Sequence, residues 1–140
     1  MQSSTRRSKQ RAFSAVFQRF LPVGVAVLYA TVLVLATHYP RPQEILRHSV
    51  SDKTLHFYAY FILGITVAVA FLSSIRQSWR SVGGMMIALC AFAALDEMTQ
   101  PLFKRNAEFL DWIADCGGIV VGVIVVVVTS LVLGLGNQQD

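Results

Sequence analysis

The stretch Val82–Arg105, "VGGMMIALCAFAALDEMTQPLFKR", decides the fold. Its first part, Val82–Leu95, is an uncharged apolar run of 14 residues. Wound as a helix it rises about 21 Å, at about 1.5 Å per residue. The hydrocarbon core of a bilayer is roughly 30 Å thick. Asp96 and Glu97 therefore arrive before the far surface does. An acid near the bilayer centre costs roughly 2.5–3.5 kcal/mol on insertion scales, and less toward the interface. Such groups persist where they face one another or a water-filled pocket. The stretch thus predicts a membrane-crossing helix that delivers two acids to an interior polar site.

Composition agrees with this reading. Of 140 residues, 54% are hydrophobic and 14% charged, too few polar groups to coat a water-soluble domain of this size. Four apolar runs meet the length criterion of roughly 17–25 residues, at about 20–38, 54–73, 82–103 and 112–136. The last is rich in β-branched residues, yet a lone strand in lipid leaves its backbone unpaired, so helix is expected there too. The expected fold is an all-α membrane protein, a compact bundle of four transmembrane helices. A basic segment, 1–19, precedes the 20–136 membrane domain, and a short tail, 137–140, follows it. The first run exceeds the ~7–15-residue apolar core of a signal peptide and ends in "THYPRP", without a small-x-small cleavage site. It reads as a retained helix. Cys90 and Cys116 lie inside apolar runs with no partner spacing and read as packing residues.

Orientation follows from Lys and Arg in the short loops. The N-terminal segment carries Arg6, Arg7, Lys9, Arg11 and Arg19, and the second loop Arg76 and Arg80. The opposite side carries Arg41, Arg47, Lys53, Lys104 and Arg105. The bias places both termini in the cytoplasm. Seven acids, Glu44, Asp52, Asp96, Glu97, Glu108, Asp111 and Asp115, fall on or toward the outer side, and Asp140 alone falls inside. The basic excess is therefore a topology signal and a contact for anionic lipid at the N-terminal segment, rather than a nucleic-acid footprint. Phe13, Val16, Phe17 and Phe20 share one helical face between basic residues, which predicts either a short surface helix or a frayed basic anchor there.

Helical spacing brings the acids toward common ground. His56 lies one turn inside the second span and Asp115 one turn inside the fourth, near the depth of Asp96 and Glu97. Asp52 and His56 are four apart, and Lys53, His56 and Tyr60 follow at i, i+3 and i+7. Asp96 and Gln100 are four apart, after which Pro101 interrupts the helical pattern. Asp111, Asp115, Gly118 and Gly122 lie on one face, acidic at its outer end and bare further in, where a neighbouring helix can approach. The candidate pocket comprises Asp52, Lys53, His56, Asp96, Glu97, Gln100, Arg105, Asp111 and Asp115, with Gly118 and Gly122 as a packing seam. Six of these, Asp96, Glu97, His56, Lys53, Arg105 and Asp115, are expected around one cavity opening to the outer leaflet.

Each assignment has a structural counterpart. Asp96 and Glu97 are either site residues or ion-pair partners of Lys53 or Arg105. His56 is either functional or a hydrogen-bonded packing residue. Arg105 is a rim anchor or a guanidinium facing carboxylates or phosphate. Asp111 reads as an N-cap ahead of "WIAD", where it would satisfy free N–H groups and the helix dipole.

"SDKTLHFYAYFILG" and "LDEMTQPLFKRNAEFLDWIADCGGIVVG" resemble the VanZ-like family of small bacterial membrane proteins. The pattern is Asp-Lys and then His at the second helix, carried by Asp52, Lys53 and His56. It continues with Asp-Glu-x-x-Gln, an Arg, and Asp-x-x-x-Asn/Asp-x-x-Gly-x-x-x-Gly, carried by Asp96, Glu97, Gln100, Phe103, Arg105, Asp111, Asp115, Gly118 and Gly122. The resemblance covers about residues 50–122. Asp115 stands where many members have Asn, which makes this pocket more acidic, and "FKR" replaces a commoner Pro-Gly-Arg turn. The resemblance implies a multi-pass protein of the bacterial inner membrane and the cell envelope. The founding member is linked to low-level resistance to teicoplanin, a lipophilic glycopeptide.

Three function classes stand on these residues. The first is a binding or transport-like module for an envelope lipid, a lipid-linked precursor or a lipophilic antibiotic, with Lys53 and Arg105 at its phosphate. The second is an intramembrane enzyme with Asp96 or Glu97 and His56 as acid and base. The third is a structural accessory subunit. No cofactor is expected. A divalent metal would draw on His56, Asp96, Glu97 and Asp115, but no two-His helix motif is present. No serine or cysteine has a visible base partner, so nucleophilic hydrolysis finds no support.

Overall fold

A computed structural model of the chain describes residues 2–39, 51–74 and 78–134, with side chains for 20–39, 51–73 and 78–134. The loop cations Arg41, Arg47 and Arg76, the acid Glu44, the 137–140 tail and the side chains of the basic 1–19 segment lie outside the described residues. All regular elements described are helical: α1 Gln2–Thr37, α2 Asp52–Ser74, α3 Trp79–Thr99, a 3₁₀ turn Gln100–Phe103, and α4 Phe109–Val132. Among the described residues, four helices are long and apolar enough to cross a membrane.

The boundaries have local causes. The basic segment is expected to form a short surface helix or a frayed anchor. Instead α1 runs unbroken over 36 residues through Pro22, about 54 Å at about 1.5 Å per residue. That outruns the roughly 30 Å core, so α1 continues beyond its apolar span. α3 opens with a reciprocal cap in which Ser81 N donates to Ser78 Oγ at 3.1 Å and Ser78 N donates to Ser81 Oγ at 3.2 Å, filling two otherwise free donors. It ends at Thr99, and the chain tightens into the 3₁₀ turn with Pro101 in its first positions. Lys104 closes that turn in the left-handed region at φ 62°, uncommon for a residue with a Cβ. The reversal brings α4 back beside α3.

α2 against α4 is the most extensive interface, with α1 on α2 and α3 on α4 as flanks. Its intimacy comes from glycine. A Cβ on Gly118 would clash with Phe57 O and lie 2.8 Å from Phe61 N, and one on Gly122 would clash with Phe61 O and lie 3.0 Å from Ile65 N. From the other side, a Cβ on Gly64 would lie 2.7 Å from Ile119 O. The two backbones therefore touch along a seam of three glycines, the close approach that favours association in lipid. Tyr29 Oη donates to Ala59 O at 2.8 Å and Trp112 Nε1 to Cys90 O at 3.1 Å, tying α1 and α3 to the pair. The core runs through Leu33, Leu63, Leu89, Ala93, Ile119 and Val123. Large apolar side chains such as Leu28, Ile87 and Val132 point outward, as a lipid-facing surface requires. The end of α1, the start of α2, the end of α3 and the start of α4 meet at one end of the bundle.

Candidate functional site

The site is built where those four termini meet. Asp96, Glu97, Gln100, Asp111, Asp115 and His56 are all buried there, along with Thr37 and Tyr60. Consecutive residues on a helix point about 100° apart, so Asp96 and Glu97 cannot serve the same spot. They divide the network into two halves.

Asp96 turns toward α1 and α2. Tyr60 Oη donates to its Oδ2 at 2.8 Å, and Thr37 Oγ1 lies 3.1 Å from its Oδ1. His38 Nδ1 stands 3.5 Å from the same Oδ1, while its Nε2 is 2.9 Å from Thr99 Oγ1 and its ring meets Phe103 edge-on at 4.7 Å. Each carboxylate oxygen of Asp96 has a hydroxyl neighbour, which offsets much of the cost of burying it.

Glu97 turns toward α4. Its Oε1 accepts from Glu108 N at 2.6 Å and its Oε2 from Gln100 Nε2 at 2.7 Å. His56 Nδ1 and Asp115 Oδ1 are 3.0 Å apart and deeply buried. One nitrogen of His56 and one carboxylate oxygen each of Glu97 and Asp115 lie within 4.8 Å of one another, a grouping able to hold a metal ion, and Asp52, His56 and Asp111 form a second. The acceptors are not all matched. Asp115 Oδ2 and Gln100 Oε1 are buried without a hydrogen-bond partner. Turning the Gln100 amide round would not help, because Glu97 needs the N–H it now receives.

The two cations close the rim. Lys53 Nζ lies 2.9 Å from Glu108 Oε2 and 3.3 Å from Asp111 Oδ1. Arg105 donates to Thr37 O at 2.7 Å through Nη1 and to Asp52 Oδ2 at 3.3 Å through Nη2. It thereby caps a free carbonyl and favours the negative end of the α1 dipole. Both are engaged by carboxylates of the chain itself. Asp111 is placed differently from its N-cap expectation. α4 begins at Phe109 with Glu108 as its cap, in extended backbone, so Asp111 lies in the first turn. The apolar "FL" at 109–110 extends the helix upstream of the acid.

The six residues expected around one cavity thus form a connected network with two separate foci. His56, Glu97 and Asp115 converge, whereas Asp96 joins Thr37, His38 and Tyr60. Beside the network a cavity of about 300 Å³ opens between α3 and α4, lined by Ala94, Glu97, Met98, Ala107, Glu108, Phe109 and Trp112. Its walls are apolar and its polar end is Glu97 with Glu108. Sequence reasoning passed over Thr37, His38 and Glu108 as site residues. The polar pair "TH" ending an apolar run at the site's end of the bundle was the available signal for the first two. Comparison of the chain with models of protein families, with curated proteins and with solved structures found no match. Fold and site together define a four-helix protein, suited to a membrane, with a buried carboxylate–histidine network at one end.

Proposed function

We propose that this chain is a VanZ-like multi-pass protein of the bacterial inner membrane, with both termini cytoplasmic, that binds an amphiphile of the cell envelope in the cavity between α3 and α4. One observation carries the reading: apolar walls from Ala94, Met98, Phe109 and Trp112 end at Glu97 and Glu108. An acyl or prenyl chain fits the walls, and a polar head rich in donors, such as an amine or sugar hydroxyls, fits the carboxylates. Trp112, with its indole N–H anchored to Cys90 O, is the kind of side chain that sits at a membrane interface. Envelope lipids, lipid-linked precursors and lipophilic antibiotics share this chemistry. The basic N-terminal segment would hold anionic lipid on the cytoplasmic side.

The Asp96 half supports a structural role, since both of its oxygens are matched by hydroxyls from neighbouring helices. His38 does stand between Asp96 and the Thr99 hydroxyl, at 3.5 and 2.9 Å, but that hydroxyl also faces the carbonyls of Leu95 and Asp96 within its own helix at 2.9 and 2.8 Å, so we prefer binding over catalysis.

Photo-crosslinking tests the reading. A benzophenone side chain at Met98, irradiated in native membranes, is expected to capture an amphiphile whose head group differs from bulk lipid. The same probe at Ile87, which faces lipid further along α3, should capture bulk lipid only. Identical adducts at the two positions would remove the proposal.

A further inference from the structure

We infer that His56, Glu97 and Asp115 form a site for one divalent transition-metal cation of the manganese or zinc type, with Gln100, through its amide oxygen, as a fourth donor residue. This goes beyond amphiphile binding and does not rest on it.

Charge is the first argument. Of the two groupings of histidine and acids, the one formed by Asp52, His56 and Asp111 is matched by cations of the chain. Arg105 reaches Asp52 at 3.3 Å, and Lys53 reaches Asp111 at 3.3 Å. The other grouping has no such partner among the described residues. Glu97 receives only neutral donors, a backbone N–H and an amide, and Asp115 receives only His56. Two carboxylates beside one imidazole in a buried site call for positive charge; a protonated His56 would supply one unit against two, and no lysine or arginine of the described residues is paired with either carboxylate.

The orphaned acceptors are the second and independent argument. Among the described residues three buried side-chain oxygens lack a hydrogen-bond partner: Asp111 Oδ1 at least has the Lys53 ammonium 3.3 Å away, whereas Asp115 Oδ2 and Gln100 Oε1, in residues 1% exposed, have no such cation. Buried polar atoms are nearly always satisfied. Asp115 Oδ2 belongs to one of the two carboxylates and the Gln100 amide donates to the other at 2.7 Å, and neither orphan can be satisfied by another acceptor. A cation satisfies them without a donor.

Geometry is compatible with the inference. The three ligand atoms lie within 4.8 Å of one another. The 3.0 Å between His56 Nδ1 and Asp115 Oδ1 matches the edge of an octahedron with bonds of about 2.1 Å. The cation takes the place of the Nδ1 proton, which moves to Nε2, so histidine stays neutral. With Asp115 chelating through both oxygens, so that the orphaned Oδ2 is satisfied as well as Oδ1, one nitrogen with four oxygens is an intermediate donor set. It suits manganese or zinc better than magnesium or calcium, which prefer all-oxygen shells, and better than copper(I), which prefers sulfur. Asp115 is decisive, because an asparagine there would bring one charge fewer.

The test uses the full chain purified in mild detergent, stripped with a chelator and titrated with MnCl₂ and with ZnCl₂. About one equivalent of at least one ion is expected to bind, raising the thermal midpoint. His56→Gln and Asp115→Asn should each weaken that binding by at least about tenfold, since even outer partners of a metal site cost 10–100-fold. Gly83→Ala, in open space on α3, should leave it within about twofold. Should either variant fail to fold, pulsed electron resonance of Mn²⁺ on the wild type decides the matter. A coupling to one imidazole nitrogen supports the site, and its absence overturns it. Failure of both ions to bind also overturns the inference, as does binding that persists undiminished in His56→Gln.

Discussion

Gly118→Ala isolates the closest contact in the bundle. The added Cβ would collide with Phe57 O and lie 2.8 Å from Phe61 N, so backbone rather than a side chain must yield. Overpacking of this kind costs about 1–3 kcal/mol, and the upper half applies because α2 cannot rotate away as a side chain would. The gain in helix propensity from Gly to Ala returns up to about 1 kcal/mol, leaving a net loss of about 1–2 kcal/mol. Its neighbour gives the internal control. A Cβ on Gly117 meets only ring carbons of Phe57 at 3.7 Å, an ordinary contact, so Gly117→Ala keeps the propensity gain of about 0.5–1 kcal/mol. Adjacent substitutions of one chemistry should therefore move stability in opposite directions, separated by about 2–3 kcal/mol. Thermal unfolding of both variants in one detergent, followed by helical circular dichroism, measures the difference. Equal stability of the two, or Gly118→Ala above the parent, would refute the seam.

Other consequences are as direct. Tyr60→Phe removes the 2.8 Å bond to Asp96 and should cost about 1–2 kcal/mol, read by the same unfolding assay. Arg105→Lys cannot hold Thr37 O and Asp52 together as the guanidinium does, because lysine presents a single point charge. It should speed amide exchange at the end of α1 while leaving the centre of α2 unchanged. In a background of Cys90→Ala and Cys116→Ala, a cysteine at Asn106 should label from outside intact cells and one at Gly134 should not. The reverse pattern would invert the proposed orientation and place the site on the cytoplasmic face.

The spans were legible because apolar length is a direct property of sequence, and lipid leaves helix as the one way to satisfy a lone segment's backbone. Gly118 and Gly122 were legible as a bare stripe, yet Gly64 was not. It is a single glycine among large residues in "YFILGIT", and its role appears only when Ile119 O stands against it. The acids were legible as misplaced charges, but their partners were not. Spacing along α3 separates Asp96 from Glu97 by about 100°, without saying that Tyr60 waits on one side and Gln100 on the other. Likewise, nothing local reveals that Lys53 and Arg105 are engaged by Glu108, Asp111 and Asp52, since those pairs are 53 or more residues apart or span two helices.

The proposal that α3 and α4 hold an amphiphile is tested most directly by native mass spectrometry of the chain released from lipid nanodiscs. Retention of one amphiphile per chain is expected, and it should be lost when Ala94→Trp fills the cavity but kept in Ile87→Trp, which projects into lipid. A chain that emerges bare, or one whose bound lipid is indifferent to Ala94→Trp, would contradict the account.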